Sequence, residues 1–256
     1  MKYLNILYQI TIREIKVKFR GSILGFLWPI ITPLLLLSIY TIIFSQVFEL
    51  KWEISSDSQM SFAIFLFSGL VLLNFFNDVI SRAPTLIASQ SNLVKKVSFP
   101  LELLPISTVL VSLFQLIINI LILFLFIIIE SDLNFSIIFL PIILISLVLF
   151  ASGFSFVIAS LGVFIKDLAN IIPIICTLLL FLSPIFYPLS AVPENLQFMI
   201  MMNPLSMIIE QMRDIMILGI YPDFIVAGIY FSSSVIICYF GYQFFMKTKK
   251  GFSDVI

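Results

Sequence analysis

Histidine is absent from this sequence, and charge of either sign is scarce: 11% of the 256 residues are Asp, Glu, Lys or Arg. Without histidine the commonest general base and metal ligand is missing. The two cysteines, Cys176 and Cys238, stand singly in apolar runs with no CxxC pairing. They therefore read as packing residues and leave neither a zinc site nor a disulfide framework to build. No GxxxxGK[ST] loop is present to cradle nucleotide phosphates, and HExxH, GxSxG and Asp-x-Asp patterns are missing too. Ionisable residues within apolar runs mark proton or ion relays. Here they are confined to Asp78, Glu102 and Asp167, near the ends of the runs. These absences argue against an enzyme and against a proton-driven transporter, and no nucleic-acid partner is expected. Any transport would draw its energy from elsewhere.

A soluble domain of this length needs about a quarter of its residues charged to cover its surface. This chain is instead 61% hydrophobic, with 28 Phe and a mean hydropathy of +1.18. Six runs reach the roughly 20 apolar residues that a spanning helix requires: 23–48, 62–80, 101–129, 137–164, 171–186 and 224–245. The fifth is shortest and carries Pro173 and Pro184. Of the 14 Lys and Arg residues, twelve fall in alternate connections: the N-terminal segment, 82–101, the loop holding Lys166, and the tail. Only Lys51 and Arg213 fall in the others. This asymmetry predicts an even number of spans with both termini cytoplasmic. The fold expected is therefore all-α integral membrane, multi-pass.

The N-terminal residues show no small-x-small cleavage site and lead into a full-length apolar run, so no cleavable signal is expected. Arg13, Lys16 and Arg20 lie at i, i+3, i+7, while Tyr3, Leu7, Ile10, Glu14 and Val17 share a mostly apolar face. Residues 1–22 thus suit an amphipathic helix in the headgroup plane, or alternatively an ordinary basic stop before the first span. The remainder, 23–256, forms a six-helix transmembrane domain. Its second loop, SRAPTLIASQSNLVKKVSFPLELLP, opens with Pro84 placed as in a first helical turn and suggests a short amphipathic helix ending near Val97. The loop FIKDLANIIP is short but charged. Segments 82–100 and 165–170 are either plain solvated loops or the places where a soluble partner pushes. Residues 187–223 are too apolar for a free loop, and the runs within them are too short to span. Re-entrant or interfacial helices covered by protein fit this length. Asp78 and Arg82, at i, i+4, should pair. Gly21 and Gly25, and the small residues Ser152, Ser155, Ala159 and Gly162, offer close helix packing.

Three local patterns, in this order and spacing, carry a family resemblance. They are REIKVKFRGSILGFLWPIITP (13–33), NLVKKVSFPLELLP (92–105), and KDL (166–168) followed by SPIFYPLSAVP (183–193), Asn203–Pro204 and Arg213–Asp214. Nearly end to end, the chain resembles the membrane subunit of bacterial ABC transporters that export polysaccharides: O-antigen, capsule and teichoic-acid permeases. Lys166 stands where the family often has Arg, which keeps the charge. The resemblance implies an ATP-driven exporter permease for a lipid-linked polysaccharide, working as a homodimer with two soluble ATPase subunits. It places no cofactor on this chain, since ATP and Mg would sit on the partner. It implies ATPase coupling through Asn92, Lys95, Lys96, Lys166 and Asp167, and an extracytoplasmic gate around Pro184, Tyr187, Asn203, Pro204 and Arg213. Aromatic rings stack on sugar faces, so Trp28, Tyr40, Phe44, Phe75, Phe76 and Tyr187 are candidate channel residues, lipid-facing positions being the alternative. Arg13, Lys16 and Arg20 are candidates for the carrier's diphosphate headgroup, or for anchoring to anionic membrane lipid. Two other functions remain open: an ABC permease exporting a drug or lipid, and a membrane-embedded polyprenyl-lipid transferase. A transferase would want clustered acidic ligands or a histidine.

Overall fold

The computed structural model describes residues 2–46, 59–95, 99–130, 134–187, 189 and 192–255. Among these residues every regular element is helical, and the chain is an all-α integral membrane protein. Among the described residues five helices are long and apolar enough to cross a bilayer, covering Gly25–Ile42, Phe62–Leu86, Leu103–Ile129, Phe135–Phe164 and Phe224–Val255; a further apolar helix, Leu168–Leu182, is shorter. In chain order the helices are α1 (Lys2–Phe19), α2 (Trp28–Gln46), α3 (Gln59–Leu86), α4 (Ser91–Val94), α5 (Leu103–Glu130) and α6 (Leu140–Phe164). They continue with α7 (Leu168–Leu182), α8 (Glu194–Met201), α9 (Pro204–Arg213), α10 (Phe224–Thr248) and α11 (Phe252–Val255).

α3 is the axis of the bundle. It packs on α2, α5, α6, α7 and α9, and every residue from Ala63 to Ile80 is buried or half-buried except Asn74. The second loop was expected to open a new helix at Pro84, but α3 runs through that proline to Leu86. The reason lies in packing: Ala83 and Ile87 are fully buried, and Gly162 of α6 lies so close that a Cβ there would meet the Pro84 carbonyl oxygen. Beyond Leu86 the chain makes a 3-10 turn, Ala88–Gln90, and then the four-residue α4.

α6 and α10 form the most extensive helix pair. A Cβ at Gly153 would stand 2.7 Å from the Ile237 backbone, and one at Gly241 would strike the Gly153 carbonyl. Gly21 and Gly25 serve differently from the packing role expected of them. Both have positive φ, 84° and 46°, with open space where a Cβ would stand, so they turn the chain between α1 and α2.

α7 has 15 residues and rises about 22 Å, short of a hydrocarbon core of about 30 Å. It stops because Pro184 pushes the preceding residue out of the helical region: Ser183 has φ −103°, ψ 144°. The chain then enters the two short helices α8 and α9, as expected for 187–223. α9 buries Leu205, Ile208, Ile209 and Met212 against the bundle and continues into a π-helical turn, Asp214–Leu218. Most apolar residues of α8 are exposed.

Candidate functional site

Two ends of the bundle carry the polar chemistry. At the first end, α1 lies across α5, with Ile10 buried and Glu14 accepting a hydrogen bond from the Ser107 hydroxyl at 3.3 Å. Burial lifts the Glu14 carboxyl above its ordinary value, against that hydrogen bond and Arg13. Tyr3 and Val17, assigned to the same apolar face, are exposed. Asp78 joins three helices here: Arg82 Nη2 of its own helix at 2.7 Å, the Ser112 hydroxyl of α5 at 2.6 Å, and Lys18 Nζ of α1 at 3.7 Å. Burial draws the Lys18 ammonium down and Asp78 opposes that pull. At the same end Lys249 donates to Glu102 at 2.5 Å. The Ser160 and Thr248 hydroxyls bond to one another, and Phe252, fully buried, packs on Phe164 and Phe245.

The coupling candidates project from this end. Because Gly162 abuts Pro84, the segments that follow them in α6 and α3 emerge side by side. Asn92 and Lys95 are exposed after α3, and Lys166 and Asp167 are exposed in the tight turn between α6 and α7. Lys96 lies outside the described residues. The basic trio of α1 also gathers: Arg13, Lys16 and Arg20, all exposed, line one groove of about 640 Å³ with Tyr8 and Phe26.

At the opposite end the gate candidates converge on one side chain. Arg213 is fully buried. Its Nη1 donates to the Pro184 carbonyl at 2.6 Å and to Glu210 Oε1 at 3.0 Å, and its Nη2 to the carbonyls of Phe65 and Ile185 at 3.2 and 3.3 Å. The guanidinium lies 5.3 Å from the Phe65 ring centroid, an arrangement that adds cation–π attraction. Burial works against both charges, lifting the Glu210 carboxyl and lowering the Arg213 guanidinium, while their pairing opposes it. Asn203 caps α9 by accepting from the Leu205 amide at 3.0 Å and donates to the Ser183 hydroxyl at 2.9 Å. Pro204 takes the first helical position, where no amide hydrogen is needed. Pro184, Asn203 and Arg213 therefore stitch the end of α7 to α9 and to the start of α3. Tyr187 stands apart: half-buried, it donates its hydroxyl to the Phe181 carbonyl at 2.6 Å.

Of the channel candidates, Trp28 and Phe75 line a cavity of about 350 Å³ between α2, α3 and α5. Trp28 Nε1 donates to the Ser22 hydroxyl at 2.7 Å. Tyr40 lines an adjoining cavity of about 280 Å³ between α2, α3 and α7. Phe76 lines neither: it is buried against Phe150 and Phe154. The Phe44 side chain lies outside the described residues. Sequence reasoning missed the polar wall of the larger cavity, formed by Asn74, Asp78, Ser112, Gln115 and Asn119. The signal was present, since Ser112, Gln115 and Asn119 repeat at i, i+3, i+7 in an otherwise apolar helix. Gln115 has a second duty. Pro33 cannot donate to the carbonyl four residues earlier, and Gln115 Nε2 supplies that missing bond to the Pro29 oxygen at 2.9 Å. Among the described residues no group of His, Cys, Asp and Glu is arranged to hold a metal ion.

Comparison with known proteins places this geometry in a family. The family model described as "ABC-2 type transporter" matches residues 6–217. The chain is 27% identical over 254 residues to the O-antigen export system permease protein RfbA of Klebsiella pneumoniae, covering 98% of this chain and 95% of the relative. It is 27% identical over 207 residues to the protein of that name from Myxococcus xanthus, covering 80% and 77%. The polysialic acid transport protein KpsM of Escherichia coli is 25% identical over 222 residues, covering 85% and 82%.

Proposed function

The chain belongs to the ABC-2 type transporter family of membrane proteins, and from that premise we propose that it is the permease of an ATP-driven exporter moving a lipid-linked polysaccharide across the cytoplasmic membrane. The observation that carries this reading is the end-to-end similarity to an O-antigen export permease. Similarity to a polysialic acid transport protein supports the same substrate class, a long hydroxyl-rich polymer. Export of a drug or small lipid, and a membrane transferase, are not favoured.

In this reading two copies of the chain enclose the pathway, and two soluble ATPase subunits supply the energy. The asymmetry of Lys and Arg puts the end bearing Asn92, Lys95, Lys166 and Asp167 in the cytoplasm. Those exposed residues, with Lys96, meet the ATPase. The fit is mechanical as well as electrostatic: α3 runs from the Arg213 cluster at Phe65 to the coupling segment after Leu86, about 32 Å as a single helix. A push at one end is thereby delivered to the outer gate around Pro184, Tyr187, Asn203, Pro204 and Arg213. The groove of Arg13, Lys16 and Arg20 offers cations to the diphosphate of the lipid carrier.

The test is deletion of the protein in its host. Finished glycan still attached to its carrier should accumulate on the cytoplasmic side, and a tagged chain should bring down a soluble ATPase in equal amount. Normal surface glycan in the deletion strain would refute the reading.

A further inference from the structure

The larger and smaller cavities adjoin, with Leu36 and Asn74 in the walls of both. Their linings follow α2 and α3 from Asp78 and Lys18 at the charged end to Phe186, next to the Pro184–Ile185 carbonyls that Arg213 holds. Asn74 sits at the junction. It is the one exposed residue in the most buried helix of the bundle, between Ala63 and Ile80, and its amide has no hydrogen-bond partner among the described residues. A bare amide facing lipid tails is strongly disfavoured, and polar groups at membrane depth face protein or a water-filled cavity.

We propose that Asn74, with Gln115 and Asn119, is the hydroxyl-binding wall of a sugar subsite at the larger cavity, a proposal that rests on the export reading above. Gln115 Nε2 is committed to the Pro29 carbonyl and to Asn119 Oδ1, at 2.9 and 3.1 Å. That leaves Gln115 Oε1 as acceptor and Asn119 Nδ2 as donor, beside the complete amide of Asn74. Trp28 and Phe75 supply apolar surface to the same cavity. Amides beside aromatic rings match a ligand with hydroxyl edges and apolar ring faces. Asp78 does not make the site a cation trap, because Lys18 and Arg82 both face it. The wall therefore holds the chain by its hydroxyls, and the weak, repeated bonds of three amides let such a chain slide.

The experiment uses the permease with its ATPase in native membranes, with Cys176 and Cys238 replaced by serine. Asn74→Cys should react with a small hydrophilic thiosulfonate, and the sugar chain released by mild acid from the host's own carrier should slow that reaction at least fivefold. Leu35→Cys, at an exposed apolar position of α2, should stay unreactive. In cells Asn74→Leu should lose at least fivefold in export, with membrane abundance and ATPase co-purification unchanged. An unreactive Asn74→Cys, reaction indifferent to the sugar chain, or full export by Asn74→Leu would each overturn the subsite. Failure of the export reading is distinguishable, since the deletion strain would then retain no glycan inside whatever the labelling shows.

Discussion

Arg213 is the residue on which the α7–α9 end of the bundle depends. It is fully buried and ties three carbonyls and a carboxylate from separate segments. Removing it takes a donor from the buried Pro184 and Ile185 carbonyls, and an orphaned buried group costs about 1–3 kcal/mol, while the partly exposed Glu210 can turn to solvent. Arg213→Met should therefore lower the thermal unfolding midpoint of the solubilised protein by many degrees. Arg213→Lys should recover only part of the loss, since an ammonium cannot reproduce the planar fork. Gln115 is the second residue of this kind. Gln115→Leu would leave the Pro29 carbonyl orphaned, at a cost of about 1–3 kcal/mol. The same melt, compared with that of the double variant carrying Pro33→Ala, should show the damage relieved once the amide hydrogen at 33 is restored. The sequence suggested Arg213 as a gate residue only through family resemblance. Nothing in its local pattern revealed that a cation in an outer loop would be enclosed, because its partners lie up to 148 positions away.

Among the elements, α1 is held to α5 by Ile10 and by the Glu14–Ser107 contact. Burial raises the Glu14 carboxyl in the folded protein. An acid whose folded value is raised contributes most below its unfolded value, near 4.5, and that contribution is lost as pH rises through the folded value. Thermal stability should thus gain a Glu14 contribution as pH falls towards 4.5, and Glu14→Gln should flatten that part of the profile. The α3–α6 contact makes a sharper demand. Gly162→Val should prevent α6 from seating against Pro84, seen as loss of the monodisperse species on size exclusion. The helical periodicity of α1 was readable in its basic face, as were the long apolar runs. The continuation of α3 through Pro84 was not, because it depends on a glycine 78 positions later, as their numbering shows. The short α7 was half legible: Pro184 marked its end, but only the fold showed how α9 closes that end.

For the whole molecule, composition alone points to a membrane protein, and the placement of cations predicts its orientation. The family match covers 6–217, which includes the candidate coupling segments, the amide-lined cavity and the Arg213 cluster. The amide wall was only partly legible in the sequence, because Asn74 meets Gln115 and Asn119 only through the packing of α3 on α5. Everything proposed about energy coupling requires the end bearing Asn92 and Asp167 to face the cytosol and the end bearing α8 to face outward. Cysteine accessibility tests this directly, in a chain whose native cysteines are replaced, using a membrane-impermeant maleimide on intact cells. Glu194→Cys should label at once, and Asn92→Cys only after permeabilisation. Labelling of Asn92→Cys in intact cells would contradict the account, since a cytosolic ATPase cannot grip a segment that lies outside.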